Sequence, residues 1–280
     1  MKKACMFVAL LVGAVAPVRA HEAKPGEPPK AEESEQETQQ ALAKKLSNPV
    51  ADLVSIPFQA NWQQGVGADG ATQFILNIQP VIPFTLSKSL NLIVRSITPI
   101  IGQPPLVPGG TSVSDLGDNF TSFFFSPVKS KIIWGLGPAF SLPTSDNPSL
   151  GTGKWEAGPT FVVLKQSKGW TYGMLWNWVW SFAGDANRSD VSAMFTQPFV
   201  AYTTKKSYTI TLNSEASTNF EAESGQKWTI PINLMLSKLS WFGPFPASYQ
   251  VGLGYYVESP TGGPDWKLRV AFVLLLPRKH

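Results

Sequence analysis

Read from Trp170 in steps of two, the chain gives Trp170, Tyr172, Met174, Trp176, Trp178 and Trp180, and the positions between are Thr171, Gly173, Leu175, Asn177, Val179 and Ser181. A period of two marks a strand, and one face of this strand is large and apolar while the other is small and largely polar. The run exceeds the ~5–6 residues usual in a globular strand and suits one that crosses a bilayer at a tilt. The preceding segment repeats the arrangement, with Trp155, Ala157, Pro159, Phe161 and Val163 against Glu156, Gly158, Thr160, Val162 and Leu164. The link from Gln166 to Gly169 is short and polar. Together they predict a hairpin with one face toward lipid and the other toward a lumen.

Similar alternation predicts strands at 52–62, 71–84, 89–101, 118–126, 132–142, 154–166, 170–182, 190–204, 207–219, 227–239, 247–258 and 266–276. Their spacing is wider than the ~8–12 residues of sandwiches and small soluble barrels. The connections alternate too. QQGVGADG, GQPPLVPGGTSVSDLG, PTSDNPSLGTG, AGDANRS, EAESGQ and SPTGGPD are rich in Gly, Pro and Asp, whereas LSKS, PVKSK, QSKG, the KK of TTKK and SWFGPFP are mostly shorter turns. Long loops at one end and short turns at the other are the habit of outer-membrane barrels. No stretch past the first residues is long and apolar enough for a membrane helix, and only helices and closed barrels satisfy their backbone in lipid. The expected fold is therefore all-β, a transmembrane antiparallel up-and-down β-barrel of about 12 strands. Prolines inside those strands, at Pro57, Pro80, Pro83, Pro99, Pro138, Pro159, Pro198 and Pro231, count against the barrel, because each removes a ladder donor that a closed barrel has no free edge to hide, though bulges could absorb them.

The opening MKKACMFVALLVGAVAPVRA reads as a secretory signal peptide, so residues 1–20 are expected to be cleaved. Cleavage takes away Lys2, Lys3 and Arg19 and no acid, which brings the formal net charge from +4 to +1 and leaves no nucleic-acid footprint. It also removes Cys5, the one cysteine, and with it disulfides, thiolate nucleophiles and zinc–thiolate sites. Residues 21–46, rich in Glu, Gln, Pro and Lys, are expected to form a polar periplasmic extension. A solvated linker is preferred there over a short helix at 39–46. Residues 47–280 are assigned to the barrel.

The chain is poor in catalytic material. Its two histidines, His21 and His280, lie at the ends of the mature chain, so no Ser-His or His-metal arrangement can form within a barrel, and no cofactor is expected. Gly65-Val66-Gly67-Ala68-Asp69-Gly70 matches G-x-G-x-x-G, but a strand pattern follows it where a dinucleotide site needs a helix, and a turn is the reading. What remains is a set of inward polar residues. The candidate lumen-lining residues are Gln79, Arg95, Glu156, Asn177, Asn213, Glu215, Asn233, Lys267 and Arg269, with Gln59, Gln73, Asn77 and Gln250 beside them. Charges are costly on a lipid face, so parity should turn them inward. There they could line a permeation path, or pair across a filled interior, Arg95 or Arg269 with Glu156 or Glu215.

Several fragments carry a resemblance when taken together: LSNPVADLVSIPFQANW at 46–62, LNIQPVIPF at 76–84, IWGLGPAFSLPT at 133–144, LGTGKWEAGPTFVVLK at 150–165, TLNSEAS and KWTIPINL. Across 46–276 the chain resembles the Gram-negative outer-membrane transporter family of the phenol meta-cleavage pathway. The resemblance implies a barrel in the outer membrane, loosely associated with uptake of aromatic compounds, and brings no catalytic residues. One departure is the ending LLLPRKH, with Leu276 where such barrels commonly finish on an aromatic residue. The expectation is a passive channel for a small solute, possibly aromatic or hydrophobic, that meets outer-membrane lipid and the barrel-assembly and periplasmic chaperone machinery. The alternatives are a structural barrel with a plugged lumen and a soluble periplasmic β-protein.

Overall fold

The computed structural model describes residues 30–276. One helix, α1 (Lys30–Leu46), precedes β1 (Val54–Val66), β2 (Ala71–Ile78), β3 (Val81–Thr85), β4 (Leu90–Gln103), β5 (Val113–Leu116), β6 (Asn119–Pro127), β7 (Ile133–Leu142), β8 (Lys154–Ser167), β9 (Trp170–Gly184), β10 (Ser192–Thr203), β11 (Tyr208–Ser214), β12 (Ala216–Asn219), β13 (Trp228–Phe242), β14 (Phe245–Glu258) and β15 (Trp266–Leu276). β2 and β3 are halves of one barrel strand, β11 and β12 are halves of another, and β5 is a short arm that pairs only with β4. The ring thus has twelve strands, each antiparallel to its neighbours, and closes where β1 meets β15 in continuous register from Val54↔Leu276 to Gln64↔Trp266.

The outside is the apolar face the alternation predicts. On β9, Trp170, Tyr172, Trp178 and Trp180 are exposed while Thr171, Leu175, Asn177 and Val179 are buried. Ile210 and Leu212 on β11, Ile232, Leu234 and Leu236 on β13, and Trp266 and Val270 on β15 are exposed in the same way. In water this skin would cost about 25 cal/mol for every Å² left uncovered, so the barrel needs acyl chains around it. Trp134, Trp170 and Trp241 stand toward the short-turn end and Trp155, Trp228 and Trp266 toward the long-loop end, as in two interfacial girdles.

The two predicted strands that the structure splits are split for identifiable reasons. The 71–84 strand breaks at Gln79-Pro80, where proline has no N–H, and the seams are bridged by Gln79 N donating to Pro57 O (2.9 Å) and Ser96 N to Pro80 O (3.1 Å). The 207–219 strand breaks at Glu215. The pairings Ser214↔Ile232 and Ser217↔Thr229 set Pro231 opposite it, and Pro231 sits at a bulge. Pro138 and Pro159 face each other across β7 and β8. On either side of that pair the ladder lapses: no partners join Phe123 and Phe124 to Gly137 and Pro138, or Gly158 and Pro159 to Trp178 and Val179. Neighbouring backbone closes in instead. A Cβ on Gly137 would lie 1.9 Å from the Phe123 carbonyl oxygen, and one on Gly158 1.8 Å from that of Trp178, so both positions require glycine. Pro57, Pro83 and Pro198 stay in register without bulges, whereas opposite Pro99 the pairing slips by one residue between Ile97↔Phe120 and Ile100↔Leu116.

The expected linker before the barrel is instead α1, built from the strong helix formers Ala, Glu, Gln, Lys and Leu, with Lys44 and Lys45 in its last turn, where cations suit the helix dipole. Its apolar residues collect at the C-terminal end rather than in a full-length stripe, which is why periodicity does not reveal it. That end docks into the short-turn mouth of the barrel. Ala43 packs with Leu239 and Leu275, and Leu42, Leu46, Leu53 and Val273 surround them. Gln166 Nε2 donates to the Lys44 carbonyl (2.8 Å), and Lys44 Nζ donates to that of Lys168 (2.9 Å). The proposed signal peptide, residues 1–20, lies outside the described residues.

Candidate functional site: the barrel lumen

Past α1 the chain turns at Asn48, whose Oδ1 accepts from Val50 N (3.0 Å), and carries Val50 into the barrel. Val50 is buried among Ile93, Phe124, Val162, Leu164 and Leu175, inward residues of β4, β6, β8 and β9. Gly135 makes room for it, because a Cβ there would come 3.3 Å from Val50 and 3.1 Å from Phe124. Residues 43–53 therefore occupy the short-turn end of the lumen as a stopper, one side of it held by an apolar wall.

The opposite wall is charged. Arg269 grips Glu215 with two parallel hydrogen bonds, Nη1 to Oε1 (2.6 Å) and Nη2 to Oε2 (2.7 Å), and its Nε donates to Asn61 Oδ1 (2.7 Å). Lys267 Nζ donates to Glu215 Oε2 at 3.0 Å. Such bidentate, doubly partnered geometry is what lets a buried carboxylate and two cations coexist. Arg95 Nη2 donates to Gln79 Oε1 (2.8 Å), and the Gln79 and Gln59 amides meet at 2.6 Å. Asn233 Nδ2 donates to Asn213 Oδ1 (2.8 Å), and Asn177 is buried on β9. The network runs from β4 through β3, β2, β1 and β15 to Glu215, about half the circumference.

Glu156 stands apart. It accepts from Thr152 Oγ1 (3.0 Å) at the long-loop end, within a group of loop-pinning contacts. There Asp118 accepts from Thr152 N (2.6 Å) and Ser145 N (3.1 Å), and Arg188 Nη2 donates to the Gly151 carbonyl (2.6 Å). Of the two carboxylates named as partners for the arginines, Glu215 is the one engaged. Gln73 bonds Gln103, Gln250 lines the chamber described next, and Asn77 faces Gln59 across β1 and β2. Asn61, Lys45, Gln197 and the wedge Val50 were not singled out from sequence. The period of two puts Asn61 on the same face as Gln59, whereas Val50 is an ordinary valine before the first strand.

Between the stopper and this network lies a chamber of about 260 Å³. Arg95, Gln79, Gln197, Asn213 and Gln250 line its upper part; Lys45, Leu46, Leu53 and Leu239 line its floor. Among the described residues no cluster of His, Cys, Asp and Glu could hold a metal ion.

No family model matches the sequence, and no curated protein matches it. Solved structures do. An outer membrane channel from Pseudomonas putida F1 aligns over 80% of this chain and 96% of its own, with a TM-score of 0.59 at 15% identity. The NanC porin aligns over 79% of this chain and all of its own, with a TM-score of 0.53 at 10% identity. At these identities the likeness is one of fold, and the fold is the closed antiparallel barrel of outer-membrane channels.

Proposed function

We propose that the protein is an outer-membrane channel for passive passage of small solutes, exported behind a cleaved signal peptide and inserted by the barrel-assembly machinery. Its stopper, residues 43–53, withdraws to open the periplasmic mouth. The observation that carries the reading is a lipid-suited cylinder whose short-turn mouth is occupied by a segment from outside the strands, residues 43–53, and not by barrel-wall residues alone. The fold it shares with the P. putida channel and the NanC porin supports it. In this reading the candidate residues, Gln79, Arg95, Asn177, Asn213, Glu215, Asn233, Lys267 and Arg269, border the path, and Glu156 sits at its outer entrance. The apolar half-wall suits solutes with a hydrophobic or aromatic body.

The test is a reversible staple. Ala43→Cys with Leu239→Cys joins two residues of one packed cluster, in a mature chain whose only other thiol leaves with the leader. In liposome swelling the oxidised protein should pass nothing and the reduced protein should pass small solutes. No flux in either state would favour a second reading that the stopper and the charge network also suit, a structural barrel with a permanently filled lumen.

A further inference from the structure

The lumen network is one acceptor short. Arg95 and Arg269, both obligate donors, stand at the two ends of a chain of two amides, Gln79 and Gln59. With Gln79 Oε1 accepting from Arg95 and Gln59 Oε1 accepting from Gln79, the Gln59 nitrogen is left facing the Arg269 guanidinium. With Gln59 turned, its oxygen accepts from Arg269 Nε (2.8 Å) and Nη1 (2.7 Å), but its nitrogen then meets Gln79 Nε2 at 2.6 Å. Either way a donor faces a donor. Glu215 cannot relieve this, since Arg269 and Lys267 already share it, and among the described residues no carboxylate forms an ion pair with Arg95. Charge points the same way: Arg95, Lys267 and Arg269 surround one acid, and the chamber that Arg95 borders contains Lys45 and no Asp or Glu.

We propose that the chamber binds a small organic monocarboxylate with an apolar body, its carboxylate on Arg95 and Gln79 and its body against the leucines of the floor. The proposal deepens the channel reading by naming the solute class. The anion accepts from the Arg95 guanidinium, which frees the Gln79 oxygen. Both amides can then turn, so that Arg269 donates to Gln59, Gln59 to Gln79, and Gln79 to the anion, and every donor has an acceptor. The cavity lies just below the usual range of ligand pockets, so the guest is small, about one ring.

Calorimetry on the full mature chain in micelles at neutral pH, with benzoate and benzyl alcohol as probes, tests it. Benzoate should bind roughly 10- to 100-fold more tightly, as befits a charge-assisted pair of bonds. Arg95→Gln, with folding checked by circular dichroism, should erase the difference. Gln79→Glu supplies the missing acceptor from within, so it should abolish benzoate binding and raise the unfolding temperature. Equal affinity of the wild type for the two probes, a preference for benzoate that persists in folded Arg95→Gln, or benzoate binding that persists in folded Gln79→Glu, overturns the proposal. Because binding is read without flux, a protein that prefers benzoate yet passes no solute sinks only the channel. One that conducts without that preference sinks only this site.

Discussion

The two halves of the barrel wall solve the same problem by opposite means. From β11 and β12 through β15 to β4 the ladder is nearly continuous, and the lumen is filled by ionic and amide groups that hold one another. From β6 to β9 the ladder lapses beside Pro138 and Pro159, and the lumen is filled by Phe124, Val162, Leu164 and Leu175, with Val50 of the stopper inserted among them. The charged half is rigid because each member is costly to leave unpaired. The apolar half is non-directional, so the Val50 side chain can enter and leave its cluster without orphaning a hydrogen bond. The stopper bridges the two walls, Val50 set in the second and Ala43 packed on Leu239 and Leu275 of the first.

The comparison breaks most visibly at Glu215. Glu215→Gln leaves Arg269 and Lys267 buried without a carboxylate, and chemical unfolding in micelles should register a loss of about 3–5 kcal/mol. Converting Glu215, Lys267 and Arg269 together to Gln, Met and Met should cost far less, because no charge is then stranded. If the single change proves as mild as the triple one, the charged wall is not the rigid one.

The lapsed ladder is probed by Gly158→Ala. Its Cβ falls on the Trp178 carbonyl, and the strands must part to admit it, at a cost of about 1–3 kcal/mol in the same assay. Next comes the stopper. Val50→Ala removes two buried methyl groups, about 1.5 kcal/mol of docking, which should raise the undocked population roughly tenfold and with it the open-channel fraction in planar bilayers. The ladder on the charged wall should feel neither change.

The outside of this barrel was legible in the sequence because a period of two is a local property: Trp170 to Trp180 declare their face without knowing what lies across from them. The inside was legible only by sign. Parity turned Lys267, Arg269 and Glu215 inward, but which acid meets which base depends on the height of each residue in a closed ring, so Glu156 and Glu215 looked equivalent. The breaks at Gln79 and Glu215 follow from prolines, one next along the chain and one opposite, and the second needs the register. The stopper was the least visible. Leu42, Ala43 and Leu46 are too few to mark an amphipathic helix, and Val50 gains meaning only from a cavity that 93, 124, 162, 164 and 175 build together.

The mildest prediction sets an exposed carboxylate against the buried one. Asp190, in the loop before β10, pairs with Lys154 at 3.1 Å, and hydrogen bonds from Lys154 and then Ser181, together with the Lys154 charge, hold its carboxyl below the usual range. A carboxylate depressed in the folded state adds stability that is present above its unfolded value and is lost as pH falls through the folded one. Wild type and Asp190→Asn should therefore differ slightly in unfolding temperature at neutral pH and converge on the acid side of the ordinary carboxylate range. The difference should also shrink in high salt, because the Asp190 side chain is 80% exposed and water screens the pair. Glu215, with 18% of its side chain exposed and two cations sharing it, should lose far less to salt; a salt effect on Glu215→Gln as large as that on Asp190→Asn would mean that water screens the charged wall and that its rigidity comes from elsewhere.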